Sequence, residues 1–137
     1  MRGVDTNLLV RYLVQDDEEQ SRLAREFFER ECSADDPAWI NRVVLCELCW
    51  VLERSYGCTR EQVAEAMTAI LQTSEFRVED LSAVWQAIRL YRSGGDFADA
   101  LLVRTNAERG CTETVTFDRK AAAMGLMRLL GRKAERK

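Results

Sequence analysis

Histidine is absent from this chain of 137 residues. That absence removes Ser-His-Asp and Cys-His catalysis, along with every histidine-ligated metal site. Any hydrolytic chemistry must rest on carboxylates, on hydroxyls, or on a metal held by oxygen. No apolar run approaches the ~20 residues of a membrane span. The N-terminus carries Arg2 but reaches Asp5 at once, which is no secretory signal, so a cytoplasmic protein is expected. Proline occurs once, at Pro37, and the seven glycines are scattered. With no linker, internal repeat or low-complexity stretch, one domain over residues 1–137 is the simplest organisation.

Cysteine is sparse and odd in number: Cys32, Cys46, Cys49, Cys58 and Cys111. Reduced thiols are the expectation. Cys46 and Cys49 form a CxxC, but a zinc site needs two further ligands at motif spacing. The pair also falls within an apolar helical pattern, where small buried thiols serve as packing. Core packing is the reading adopted.

Hydrophobic residues make up 47% of the chain and charged residues 31%, enough for one packed core and a hydrophilic surface. The net charge of -3 argues against a protein basic all over. The end, "RLLGRKAERK", nevertheless sets Arg128, Arg132, Lys133, Arg136 and Lys137 against the single acid Glu135. It reads either as a local phosphate-binding patch or as a solvated tail.

Short β-like runs alternate with longer helical ones. "MRGV" reads as a strand ending at Asp5, and a helix follows over 7–14. "DDEEQSRLAREFFERE" spaces Leu23, Ala24, Phe27 and Phe28 along one helical face. "PAWI" is a possible strand, and a helix runs over 41–56 to stop at Gly57. "TREQ" at 59–62 has the capping-box pattern, opening a helix that carries Val63, Met67, Ile70 and Leu71. "FRVED" is a brief strand. Asp80 caps the next helix, with Leu81, Val84, Ile88 and Tyr91 inward. A helix over 97–109, the strand "ETVTF" and a last helix over 119–130 complete the chain. No hairpin signal joins two strands, so the pattern predicts an α/β fold with a small parallel sheet. Ligands in such sheets bind at the carboxyl ends of the strands.

Four acids stand out. Asp5 and Asp118 each follow a strand and precede a helix, where capping explains them equally well. Glu47 has Val43, Val44, Trp50 and Val51 as its helical neighbours and is expected to share the core-facing side. A glutamate there needs an ion-pair partner or a polar site. Asp99 shares a face with Leu102 and Val103, one turn inside a helix that Asp96 caps. In a parallel sheet all four can converge. Two such charges ~4 Å apart repel by roughly 4 kcal/mol at an effective dielectric of ~20, so convergence calls for a counter-charge. A hard cation, Mg²⁺ or Mn²⁺, suits oxygen donors of this kind.

"VDTNLLVRYL", "VVLCELCWVLERSYG", "DFADALLV" and "TVTFDRKAA" resemble, in order and spacing, the motifs of PIN-domain ribonucleases. In particular they resemble the VapC toxins of bacterial type II toxin–antitoxin systems. The resemblance spans nearly the whole chain and implies a three-layer α/β/α sandwich with a small central parallel sheet. Carried over residue by residue, it implies an acidic set of Asp5, Glu47, Asp99 and Asp118. Asp5 and Asp99 would be the metal ligands, with Mg²⁺ as cofactor and Mn²⁺ possible. Thr6, Asn7 and Thr116 would orient the carboxylates, with Asp96 an extra acid beside them. It further implies endoribonuclease activity on RNA, inhibition of translation, homodimers, and a small antitoxin that wraps the toxin and blocks its site.

A HAD-like phosphatase is a rival, but it would want Asp-x-Asp after the first strand, where this chain has Asp-Thr-Asn. A second rival is a catalytically inactive PIN fold that only binds RNA or protein, and loss of an acid would favour it. None is lost. The Phe27 and Phe28 stripe is expected either to form ordinary core or to meet a dimer partner or antitoxin segment.

Overall fold

Short strands and longer helices alternate along the chain. The computed structural model describes residues 1–131; Arg132, Lys133, Arg136 and Lys137 of the basic end lie outside the described residues. Strand β1 (Arg2–Gly3) leads into α1 (Thr6–Val14) and α2 (Glu18–Glu31), and β2 (Ala38–Ile40) into α3 (Arg42–Arg54) and α4 (Arg60–Leu71). Strand β3 (Phe76–Val78) is followed by α5 (Leu81–Arg92) and α6 (Phe97–Glu108). Strand β4 (Val115–Thr116), α7 (Arg119–Ala123) and β5 (Arg128–Leu129) close the described chain. β2 is the middle strand of a parallel sheet in the order β1-β2-β3, with Ala38 opposite both Arg2 and Phe76. β4 and β5 form a second parallel ladder of their own. Parallel strands cannot be joined by tight turns, so every connection is helical. The fold is α/β with a small parallel sheet.

Each of the first four strands hands over to a helix through a side-chain cap. Asp5 caps α1, Asn41 caps α3, Asp80 caps α5 and Asp118 caps α7. All four are residue types whose side-chain oxygen accepts the orphan N–H groups at a helix start. The capping box at Thr59 and Gln62 is present in full. At the other end, α7 stops at Ala123 rather than running to residue 130. Gly125 takes φ +80°, closing the helix with its N–H on the Ala122 carbonyl, and the chain becomes β5.

Leu9, Ile40, Leu45, Leu48, Met67 and Val84 are fully buried in one cluster. Phe28 joins them at 2% exposure and meets Tyr12, Phe27 and Phe76 edge to face. The α2 stripe at Phe28 is therefore core, whereas Leu23, expected on the same face, points outward at 49% exposure. Leu81, also expected inward, is exposed because it occupies the first position of α5, where the core ends.

Burial of Phe28 sets a measurable difference along α2. Phe28→Ala is expected to cost about 3–5 kcal/mol in chemical denaturation, and Leu23→Ala no more than about 0.5 kcal/mol. Equal losses would mean that α2 packs in another orientation.

Candidate active site

Asp5 sits two residues beyond β1, and its Oδ1 accepts the N–H of Thr6 at 2.7 Å. Thr6 is buried, and its hydroxyl donates to Oε1 of Glu47 on α3 at 2.5 Å. One threonine thus joins the end of β1 to the middle of α3. Glu47 does not face the core. Val44, Leu45, Leu48 and Cys49 form the buried side of α3, while Val43 is 65% and Trp50 42% exposed. Of its apolar neighbours, Val43 and Trp50 belong with it to a solvent-facing stripe, and only Val44 belongs to the packed one. Asp5, Thr6, Asn7, Glu47, Trp50 and Tyr56 line a recess of about 500 Å³.

The remaining acids line a second recess of about 400 Å³, beside Trp50 and Tyr91. Asp96 caps α6, its Oδ1 accepting the N–H of Asp99 at 2.8 Å. Asp118 caps α7, its Oδ1 accepting from Lys120 at 2.8 Å and Ala121 at 3.2 Å. Thr116 Oγ1 accepts the Asp118 N–H at 3.0 Å and so fixes the cap. The Asp99 carboxylate makes no hydrogen bond or ion pair among the described residues. Partial burial, followed by the charges of Asp96 and Asp118, holds its carboxyl above the usual aspartate range.

Trp50 is a wall of both recesses. Cys46, on the same helix, feels the charges of both Asp96 and Glu47, although burial is the main cause that pushes its thiol up to about 11. Burial pushes Cys49 up to about 12. Both thiols stay protonated at neutral pH and serve as packing. Among the described residues, no three Asp, Glu or Cys side chains are gathered closely enough to hold one ion together. The acids form two neighbouring groups: Asp5 with Glu47, and Asp96 with Asp99 and Asp118.

Two arginines support this arrangement, and neither was marked by local sequence pattern. Arg60, at the head of α4, donates to the carbonyls of Tyr91 at 2.8 Å and Gly95 at 2.5 Å, with its guanidinium 4.4 Å from the Tyr91 ring centre. It grips the turn that delivers Asp96. That turn needs glycine at 95, since a Cβ there would come within 2.6 Å of Leu90 Cγ. The Tyr91 hydroxyl in turn donates to Glu53 of α3. Arg42, at the head of α3, reaches Glu108 at 2.7 Å, Asp80 at 3.3 Å and Glu79 at 3.5 Å, tying α3 to α5 and α6. Both contacts are nonlocal, so spacing along the chain could not announce them.

The donor chemistry fits a hard divalent cation. Asp5, Asp96 and Asp118 each commit only Oδ1 to capping, and Glu47 only Oε1 to Thr6. The other oxygen of each, and both oxygens of Asp99, receive no hydrogen bond among the described residues. Oxygen donors with surplus negative charge are what Mg²⁺ or Mn²⁺ prefers.

The Thr6–Glu47 bond is open to direct test. Thr6→Val keeps the shape and removes the hydroxyl, with an expected loss of about 1–2 kcal/mol in urea unfolding. Thr6→Ser should keep most of that stability. A valine variant as stable as wild type would mean that Thr6 does not hold Glu47.

Among the described residues no helix is long and apolar enough to cross a membrane. No curated protein matches the chain. The PIN domain family model matches residues 4–126. That span includes all four strand-end and helix acids and both recesses. PIN domains are generally nucleases that use divalent metal ions. The chain belongs to the PIN domain family.

Proposed function

We propose that this chain is a divalent-metal-dependent endoribonuclease that acts as the toxin of a type II toxin–antitoxin pair. The observation that carries the nuclease reading is the set of uncommitted carboxylate oxygens in two recesses that share Trp50, in a chain of the PIN family. The toxin reading rests on the resemblance of the four motif stretches to VapC toxins. It brings with it a cytoplasmic setting, a homodimer and a cognate antitoxin that blocks the site.

Asp5 and Asp99 are the residues that would hold the ion, Mg²⁺ or Mn²⁺, and Glu47 and Asp118 complete the acidic set. When bound, the ion supplies positive charge and Lewis acidity for hydrolysis of a phosphodiester bond. Thr6 orients Glu47 through its hydroxyl. Thr116 fixes the Asp118 cap, and Asn7 lines the recess beside Asp5. Asp96 starts α6 and holds Asp99 one turn into that helix, while its charge helps to raise the Asp99 carboxyl.

A second reading is a PIN fold that binds RNA or protein without cutting. The division of the acids between two recesses favours it. Incubation of the purified protein with total cellular RNA separates the two readings. Cleavage at mapped ends is expected with Mg²⁺, and none in EDTA. Cleavage by clean protein without metal would refute the assigned site, whereas RNA binding without cleavage under any divalent ion would leave the binding module.

Asp99→Asn tests the charge argument. Because its folded-state carboxyl is raised, Asp99 contributes stability below the ordinary aspartate range, and that contribution is lost as pH rises through the raised value. At neutral pH in EDTA the variant should therefore melt at the same temperature as wild type or higher. It should also lose most of the stabilisation that millimolar Mg²⁺ gives wild type, since an ion bound only by the folded state is linked to folding. A lower melting temperature in EDTA with an unchanged Mg²⁺ shift would make Asp99 structural.

A further inference from the structure

We infer that Trp50 is a stacking platform for a base of single-stranded RNA beside the scissile phosphate. The inference rests on the nuclease reading and adds a substrate contact to it. Trp50 follows Glu47 by one helical turn and is a wall of both acid recesses. A phosphate placed where the two groups of acids can act on it has this ring next to it.

The ring is poorly used by the protein itself. It is 42% exposed, and its indole N–H has no hydrogen-bond partner among the described residues. Its recorded aromatic contact is with Arg54, one turn further along α3, whose guanidinium lies 6.0 Å from the ring centre. That distance is at the outer limit of a cation–π contact. A flat, exposed aromatic ring with a loosely held guanidinium over it meets both needs of a nucleotide, since a base can take the place of so distant a cation and leave it free for a phosphate. The recesses are lined by charged groups of both signs, Lys120 and Arg11 as well as the acids, and none of these holds a base; a base needs a contact that does not depend on charge. Stacking is such a contact, and it tolerates any base because every base has a π-face. The other aromatic side chain of the Asp5 recess, Tyr56, has its hydroxyl tied to Arg11 at 3.1 Å and Asp16 at 2.8 Å, which holds that ring in place.

The test compares wild type, Trp50→Phe, Trp50→Leu and Trp50→Ala on a short single-stranded RNA with Mg²⁺, and on the same RNA carrying one abasic position moved along the strand. Leu and Ala should raise KM by about tenfold or more, the size of one lost base stack. Phe should keep most of the wild-type value. For wild type, one abasic position next to the cut should raise KM by a similar factor, and in Trp50→Ala that position should make no further difference. Leucine matching wild type, or equal abasic sensitivity in all four proteins, overturns the platform. So does a Trp50→Ala protein that changes oligomeric state in light scattering while KM stays the same, since the ring would then belong to a protein contact. Failure of the nuclease reading looks different: wild type does not cleave the intact RNA under any divalent ion, whether or not it binds it, and the inference falls with it.

Discussion

The orphan N–H groups at a helix start are the constraint on which this site depends. Four times a parallel strand ends and a helix begins within a few residues, and each time a short polar side chain accepts from the first turn. Three of those residues are aspartates, and Asp17 and Asp96 cap α2 and α6 in the same way. Capping needs one oxygen, and a carboxylate has two. Asp5, Asp96 and Asp118 thus stabilise the fold with Oδ1 while Oδ2 remains for chemistry. The question of whether these acids are caps or ligands has no exclusive answer, because one group can meet both demands.

Surplus negative charge survives although Lys120 lines the Asp99 recess, because three arginines around the site are committed elsewhere. Arg42 is bound to Glu108, Asp80 and Glu79. Arg60 spends its donors on the carbonyls of Tyr91 and Gly95. Arg11, although it lines the Asp5 recess, is held by Asp16, Gln20 and Tyr56. Each arginine stiffens a junction that positions an acid, and none neutralises one. The uncompensated charge is visible at Asp99, where burial and two like charges act together. Such perturbation by burial and specific neighbours, in a recess, marks functional sites more often than plain structural ones.

Much of the fold was legible because its signals are local. The Thr59–Gln62 capping box, the Asp80 cap and the 3.6-residue stripe through Val84, Ile88 and Tyr91 all appear in the structure. What failed was any inference about which way a mixed stripe faces. Val43, Val44, Trp50 and Val51 surround Glu47, but only Val44 among them is buried, because α3 packs through Leu45, Leu48, Cys49 and Leu52. Leu23 failed in the same way beside Phe28. The short α7 was missed because one glycine at positive φ outweighs an alanine-rich run. Of the candidate site, the four acids could be named from the chain, with Asp5 and Asp118 at strand ends, Asp99 in a first turn and Glu47 within α3. Their division into two groups, the Thr6–Glu47 bond and the Arg60 grip could not, since each depends on residues that only folding brings together.

The exposure of α3's outer stripe also bears on how strongly a cation can be held. A carboxylate in water is already well solvated and gains little from an ion, whereas one that is partly desolvated beside like charges gains more when a positive charge arrives. Glu47 lies on the exposed side of α3, and Asp99 is the acid that is part-buried and without a hydrogen bond. The two therefore play unequal parts in the electrostatics. Asp99 holds the larger share of strain that a cation would relieve, and Glu47, tethered by Thr6, brings an exposed oxygen from the neighbouring recess. Two of the three aspartates that repel one another recover stability by capping helices, and the third, Asp99, is the one whose strain a cation would relieve.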